Sequence, residues 1–236
     1  MENAGYVTLT RQSGLMKELR VVANNIANQS TTGFRQEGVI FSEYVKGVEG
    51  ADSLSMAYGN VRHTSPLQGT LNMTGSPFDF AIEGEGYFLI ETPAGQRLSR
   101  NGAFTPNQNG ELVTYDGYRV LDSGAAPIFV PPNADISVAS DGTVSTDGRP
   151  IGQVGVVLPI DPLKMQREDG VMFISEAGFE PLDTPRMRQG FLEQSNVNAL
   201  GQIARMIEVQ RAYEMGQKFL DSEDERIRNV IRSVTK

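Results

Sequence analysis

Proline is confined to the middle of the chain, whereas apolar residues recur at helical spacing in both ends. All 12 prolines lie between Pro66 and Pro185. Proline breaks the interior of a helix, so long helices are expected only in the first 65 and the last 51 residues. Between them lies a middle segment rich in Pro and Gly, which we expect to be β-structured. The pattern predicts an α+β fold with long terminal helices around a central β domain.

The C-terminal end carries an apolar repeat of seven residues. The repeat consists of Met206, Tyr213, Leu220, Ile227 and Val234. Such a repeat keeps one seam of a helix facing a partner helix, as in a coiled coil. Asn198 is a suitable N-cap for a helix over 199–234, in which Gly201 and Gly216 are the weak points. Polar residues interrupt the seam at Gln210, Gln217 and Asp224.

The N-terminal end predicts a shorter helix. Its apolar residues follow a 4-3-4 spacing at Leu15, Leu19, Val22 and Ile26. The turn-forming run 28–33 should end this helix, since Asn, Ser and Gly disfavour helix interiors. Gly5 and Gly14 each weaken it by about 1 kcal/mol relative to Ala. This helix is therefore marginal alone and should depend on packing.

The middle of the chain alternates short apolar runs with turn dipeptides. The runs are 78–82, 87–90, 111–115, 118–121, 128–130, 136–139 and 154–158. The dipeptides are Asn101-Gly102, Asn109-Gly110, Asp116-Gly117, Asp141-Gly142 and Asp147-Gly148, which suit tight hairpins. This spacing predicts an antiparallel sandwich or barrel-like domain.

These patterns predict three kinds of segment. Residues 1–34 and 196–236 should form a helical coiled-coil domain, and residues 77–184 the central β domain. Residues 35–76 and 185–195 should connect them, with a loose polar loop over 47–59.

Charge and composition exclude several function classes. The net charge is −8, but the two ends are slightly basic and residues 36–195 carry −11. That distribution argues against nucleic-acid binding, which needs a basic footprint. The absence of Cys removes disulfides and thiolate sites. No apolar stretch approaches the ~20 residues that span a bilayer, so we expect no membrane insertion. The start lacks the pattern of a cleaved secretory signal.

Catalytic motifs are not apparent in the sequence. His63 is the only histidine, and neither a nucleophile elbow nor a phosphate-binding loop is found. We therefore expect no catalytic, metal or cofactor site. The alternative that stays open is a β-domain binding module or hydrolase whose helical ends serve only for oligomerisation.

Several segments resemble those of flagellar basal-body rod and hook proteins, in the order of that family. The segments are 24–28, 30–34, 76–82, 98–104, 109–114, 195–198 and 210–214. The resemblance spans nearly the whole chain. Within the family, the chain length and Met215-Gly216-Gln217 favour the proximal-rod type over the distal-rod type.

The resemblance implies a structural subunit of the bacterial basal-body rod rather than an enzyme. Such proteins are exported through the flagellar type III apparatus and assemble in the periplasm with copies of themselves and other rod proteins. Their terminal helices pair as an antiparallel coiled coil that lines the inner core, and the β domain lies outside it.

The resemblance also implies which residues make assembly contacts. We expect these to be Asn24, Asn25, Asn28, Gly33, Phe34, Asn196, Asn198, Met206, Gln210, Arg211, Tyr213, Leu220 and Ile227. Local interpretations stand beside this one. The asparagines of 24–28 equally suit backbone groups at a helix end, and Gly33 suits a turn. Gln210 and Arg211 equally suit a solvated helix surface.

Overall fold

The chain forms two compact units, each built from segments that are distant in sequence. A computed structural model describes residues 2–48, 51–131, 134–168 and 170–234. The helical unit consists of Met1–Ala27, Glu37–His63 and Asn198–Lys236. The β unit consists of Asn28–Gln36 and Thr64–Val197.

Two long helices form most of the helical unit, and both predictions of a terminal helix are confirmed. Helix α1 is Glu2–Ala27 and helix α2 is Ala199–Val234. The α1 helix ends at the turn-forming run that begins with Asn28. Asn198 caps α2, because its Oδ1 accepts a hydrogen bond from the Gly201 amide at 3.1 Å. Within the described ranges, neither helix has the length and apolar character needed to cross a bilayer.

A two-stranded sheet completes the helical unit. Strand β1 is Glu37–Val48 and strand β2 is Ala51–Thr64. The predicted loop over 47–59 is therefore wrong, except at Glu49 and Gly50, which lie outside the described residues. The sequence around Leu54, Met56 and Tyr58 alternates larger apolar residues with small or polar ones. That period of two is typical of a strand, although the polar composition suggested a loop.

Among its described residues, the β unit contains sixteen short strands and one 3-10 turn, Pro162–Lys164. The first eight strands are β3 (Leu71–Met73), β4 (Phe80–Ile82), β5 (Tyr87–Thr92), β6 (Gly95–Ser99), β7 (Phe104–Pro106), β8 (Leu112–Thr114), β9 (Arg119–Val120) and β10 (Ile136–Val138). The others are β11 (Thr143–Thr146), β12 (Arg149–Gln153), β13 (Val156–Pro159), β14 (Met165–Arg167), β15 (Met172–Ser175), β16 (Phe179–Pro181), β17 (Met187–Gln189) and β18 (Phe191–Glu193).

The strands pair in antiparallel sheets. The largest sheet has nine strands in the order β14-β15-β6-β5-β9-β8-β7, with β13 pairing both β5 and β16. Smaller sheets are β10-β11-β12, β17-β4 and β18-β3. Within the part of the chain that the structure describes, no sheet closes into a barrel. The α+β class is thereby confirmed in its coarse form: two terminal helices and a mostly antiparallel β domain.

An aromatic cluster lies at the centre of the β unit. The Phe104 ring meets the Phe80 and Phe88 rings edge-to-face, at centroid distances of 5.8 and 5.2 Å. All three side chains are at most 2% exposed. Val144, from the three-stranded sheet, belongs to the same apolar cluster. Several sheets therefore share one core.

The turn dipeptides divide into two physical classes. Asp147 and Gly148 have φ angles of 50° and 75° and join β11 to β12, as expected of a tight hairpin. Gly102 is different, because its φ is not positive. A Cβ on Gly102 would lie 1.7 Å from the Phe80 carbonyl oxygen. Here glycine allows two backbone segments to approach closely.

One predicted strand did not form as a strand. Residues 128–130 contribute only an isolated bridge, between Phe129 and Glu111. Ile128 and Val130 are nevertheless buried, at 3% and 2% exposed. The apolar run therefore marked a core segment.

Substitution of Gly102 by Ala tests the close approach. We expect Gly102→Ala to lower the free energy of unfolding of the β unit by about 3 kcal/mol or more, because the backbone must move to admit the methyl group. Gly152→Ala is the control, since a Cβ there meets nothing within 4 Å. It should change stability by less than about 0.5 kcal/mol. Denaturant unfolding followed by tyrosine fluorescence measures both, and equal effects would contradict this explanation.

Candidate assembly site on the terminal helices

Helices α1 and α2 pack against each other in opposite directions. Three polar contacts define their register: Asn25 with Gln202, Glu18 with Arg205, and Gln12 with the Tyr213 carbonyl. As the residue number falls along α1, it rises along α2. Polar contacts within a helix pair fix register, because a shifted alignment would leave them unpaired.

An ion pair lies near the middle of this contact. The Glu18 Oε1 atom lies 2.6 Å from Arg205 Nη2 and accepts a hydrogen bond from Nε at 2.7 Å. Glu18 is 8% exposed. Its hydrogen bond raises the pKa of Arg205, which stays charged. Arg205 also contacts Glu208 at 3.1 Å, but that carboxylate lies in solvent.

Asn25 connects α1 to two other elements of the helical unit. Its Nδ2 donates to the Glu37 carbonyl at 2.8 Å and to Gln202 Oε1 at 3.1 Å. Its Oδ1 accepts from the Glu37 amide at 3.0 Å. With 1% of its surface exposed, Asn25 binds its own chain.

Gly216 lies where a side chain of α1 crosses α2. Gln12 Nε2 donates to the Tyr213 carbonyl at 3.1 Å, and a Cβ on Gly216 would lie 2.9 Å from that nitrogen. Gly216, which was expected to weaken the helix, therefore lies at a contact between α2 and α1. Beside it, residues of both helices enclose a groove of 330 Å³ that includes Leu15 and Phe219.

The residues of α2 that face α1 follow a 3-4 spacing. This contact face consists of Gln202, Arg205, Val209, Ala212, Gly216 and Phe219. Val209 is the one buried residue among the described part of α2. Sequence reasoning missed this face, because four of its six positions hold a polar residue, Gly or Ala. Only the 3-4 spacing of these six positions could have indicated the contact face.

The predicted apolar repeat of Met206, Tyr213, Leu220, Ile227 and Val234 lies beside the contact face. Together with Ile203, Ile207, Gln210 and Ile231, it forms what we call the outer face of α2. Met206, Tyr213 and Leu220 are half-buried. The exposure of Ile227 is 50% and that of Val234 is 80%. The last two residues of the apolar repeat are therefore open to solvent, whereas the first three are half-buried.

Helix α2 continues past the start of α1. The register places the first turn of α1 opposite Glu223, so the residues after it have no described α1 residue beside them. Residues 224–234 extend over roughly 15 Å at the usual helical rise. Asn229 lies on the side of this segment opposite to Ile227. Ser233 is also turned away from Ile227.

The other predicted site residues contact their own chain or solvent. Asn24 and Asn28 are half-buried, and Asn28 Oδ1 accepts from Thr31 Oγ1 at 3.1 Å. Gln210 and Arg211 are exposed on α2. Asn198 serves as the N-cap.

Three more of the predicted site residues lie within the β unit. Phe34 is fully buried, and Gly33 donates its amide to the Glu193 carbonyl at 2.7 Å. Asn196 accepts from the Gln36 amide at 2.6 Å and donates to the Leu67 carbonyl at 2.7 Å. These residues therefore organise their own chain. Among the described residues, no three His, Asp or Glu side chains lie close enough together to hold a metal ion.

Family models match three parts of the chain. They are described as flagella basal body rod protein, over residues 6–35, flagellar hook protein FlgE/F/G D1 domain, over 81–146, and flagellar basal body rod FlgEFG protein C-terminal, over 188–233. The matches cover parts of both units and lie in the order expected from the sequence.

Curated relatives match over nearly the full length. The flagellar basal-body rod protein FlgF of Mesorhizobium japonicum is 39% identical, over 91% of this chain and 90% of its own. FlgF of Caulobacter vibrioides is 36% identical, over 100% and 99%. FlgG of Caulobacter vibrioides is 32% identical, over 92% and 94%.

The two carboxylates around Arg205 provide a matched test of the helix contact. We expect Glu18→Gln to destabilise the helical unit by about 1 kcal/mol, since it removes a charged acceptor from a desolvated contact. Glu208→Gln should change stability by less than about 0.3 kcal/mol, because its pair is exposed. Thermal melts by circular dichroism at 222 nm measure both. Equal effects would contradict a register-fixing role for Glu18.

The crossing of Gln12 over Gly216 is tested by a double-mutant cycle. In a Gln12→Ala background, Gly216→Ala should stabilise α2 by about 1 kcal/mol through helix propensity. In the native background that gain should nearly vanish, because the methyl group displaces Gln12 and breaks its hydrogen bond, worth about 1 kcal/mol. Helical melts report the coupling energy. An identical effect in both backgrounds would show that the two residues do not interact.

Proposed function

The chain belongs to the flagellar basal-body rod protein family and is a structural subunit of the basal-body rod, and from that premise we propose that the outer face of α2 is its assembly surface. Within the family it is most like FlgF. It assembles with other rod proteins in the basal body. The occupants of the outer face are the terminal helices of neighbouring rod subunits.

The observation that carries this proposal is the set of exposed apolar residues on the outer face. Ile203, Ile207, Ile227 and Ile231 are 44–56% exposed, and Val234 is more exposed still. Several exposed apolar side chains on one helix indicate a surface that another molecule covers. Full burial of one such side chain contributes roughly 1.5–3 kcal/mol, so these residues supply ample free energy for association.

The end of α2 supports a partner from another chain. After Glu223 no described residue of α1 lies opposite, yet the apolar repeat continues through Ile227 and Val234. A contact surface that begins along the paired helices and extends past them suits a head-to-tail contact. Such heterologous contacts, repeated without closing a ring, build a helical filament.

We also infer that α1 and α2 pair as an antiparallel coiled coil. The 3-4 spacing of the contact face and the three register-fixing contacts support this geometry. In the β unit, we infer that the sheets stack as a sandwich. Val144 of the small sheet and Phe88 of the large sheet share one core cluster, which supports that arrangement.

The remaining predicted partners follow from family membership. We propose that the predicted contacts Met206, Gln210, Tyr213, Leu220 and Ile227 meet other rod subunits, including copies of this chain. We also propose export through the flagellar type III apparatus and no catalytic activity, since the relatives are named as rod proteins. No observation favours the alternative of a hydrolase or binding module.

Two substitutions in the last turns of α2 test the assembly surface. Ile227→Asp places a charge on the outer face, where burial of an unpaired carboxylate costs several kcal/mol. We expect rods of cells carrying this variant to lack the protein and the cells to be non-motile. Asn229→Asp places the same charge on the opposite side of the helix and should leave assembly intact. Immunoblots of isolated basal bodies and motility assays measure both.

Both substitutions lie on an exposed part of α2, so the folding of the free chain should be unchanged in either variant. Circular dichroism melts of the purified proteins provide that control. Incorporation of Ile227→Asp at the native level would refute the assignment of the outer face.

A further inference from the structure

A buried ion cluster lies within the β unit. Glu193 Oε1 is 2.8 Å from Arg35 Nε, and Glu193 Oε2 is 3.1 Å from Arg100 Nε. The three side chains are 1–3% exposed. The members come from three distant parts of the sequence: the segment after α1, the loop after β6, and strand β18.

Each residue of the cluster also forms hydrogen bonds with backbone atoms. Arg35 donates to the Pro66 and Leu67 carbonyls, both at 2.6 Å. Arg100 donates to the Gly86 carbonyl at 2.8 Å and also to that of Gly84. Glu193 Oε1 accepts from the Gly69 amide at 3.1 Å.

At the ion cluster, the segment that follows α1 is bonded to the segment that precedes α2. Residues 33–36 follow α1 and residues 193–196 precede α2, and both belong to the β unit. The Gly33 amide donates to the Glu193 carbonyl, and the Gln36 amide donates to Asn196 Oδ1. The segments are therefore bonded to each other and, through the ion cluster, to the body of the β unit.

The charges in this cluster are by themselves weak evidence for added stability. Burial lowers the pKa of Arg100 to about 10, while the nearby Glu193 acts to raise it and Arg35 to lower it. Arg100 is therefore charged at neutral pH, and two buried cations share one carboxylate. Apolar residues in place of a buried ion cluster are often neutral or stabilising, whereas removal of one partner is severe. Such a cluster favours one arrangement of its segments over others.

We propose that Glu193 is a positioning residue that locks the segments leading to α1 and α2 onto the β unit, so that load on the helices passes into the β unit. The locking rests on the geometry of the β unit alone. The transmission of load also rests on the proposed function.

Glu193→Gln tests the locking, because it removes the charge and keeps the shape. Hydrogen exchange of the purified chain is followed by mass spectrometry. We expect peptides covering 28–36, 64–70 and 193–197 to exchange roughly 100-fold faster, since these segments open locally. Peptides from β5 and β6 should exchange as in the native chain. Uniform acceleration across the β unit, or no acceleration, would overturn the proposal.

Glu168→Gln is the matched control. Glu168 forms an ion pair with Arg97 in the same unit, but it contacts neither of the two segments. It should leave exchange of 28–36 and 193–197 unchanged. If Glu193→Gln does not fold, Arg35→Lys is used as the test variant. This substitution keeps the positive charge but removes the guanidinium group that bonds Glu193 and the backbone carbonyls together. The same selective acceleration is expected, and its absence would overturn the locking.

The transmission of load is tested in motile cells whose own copy is deleted. With Glu193→Gln the rods should assemble, but swimming speed should fall more steeply with medium viscosity than with the native chain or Glu168→Gln. Equal slopes, or a failure to assemble, would overturn load transmission. A failure of the proposed function is distinguishable, because the native chain itself would then not restore motility while the exchange result would stand.

Discussion

Contact between α1 and α2 is the interaction on which the helical unit depends. Helix α1 contains Gly5 and Gly14, and isolated helices of this kind are marginal in water. The contact face that stabilises it is largely polar or small, with only Val209 buried on the α2 side. Polar contacts contribute less free energy than apolar ones, but they fix one register. The contact face therefore aligns the two helices, whereas the more apolar outer face of α2 takes little part in this contact.

Under the proposed function, one helix serves both folding and assembly. On α2, Gln202, Arg205 and Gly216 face α1, whereas Ile227 and Ile231 lie past the first turn of α1 and are exposed. If the apolar repeat were buried against α1, little apolar surface of α2 would remain for contact with a neighbouring molecule. A helix pair aligned by polar contacts leaves apolar residues such as Ile227 exposed, which is what the proposed function requires.

The β unit meets a different constraint, since its chain enters and leaves through segments that have to be held. The Arg35–Glu193–Arg100 cluster and Asn196 bind these segments to backbone carbonyls. Glycines permit the required approaches: a Cβ on Gly33 would lie 2.3 Å from the Asn101 amide. The family-like segments around residues 33, 100 and 195 thus meet in space. Their role in the free chain is to position their own backbone.

The sequence by itself determined the elements and the class of fold. Proline placement and capping residues act locally, so α1 was predicted with its C-terminal end, α2 with both ends, and Asp147-Gly148 with its hairpin. Contacts between distant segments were decided only by the tertiary structure. Period and composition could not distinguish the α1-facing side of α2 from its exposed apolar side, because both sides carry residues at helical spacing and only the register with α1 decides which side is covered. Glu193 gave no local signal either, since a buried carboxylate is recognisable only when the two arginines that surround it are in place.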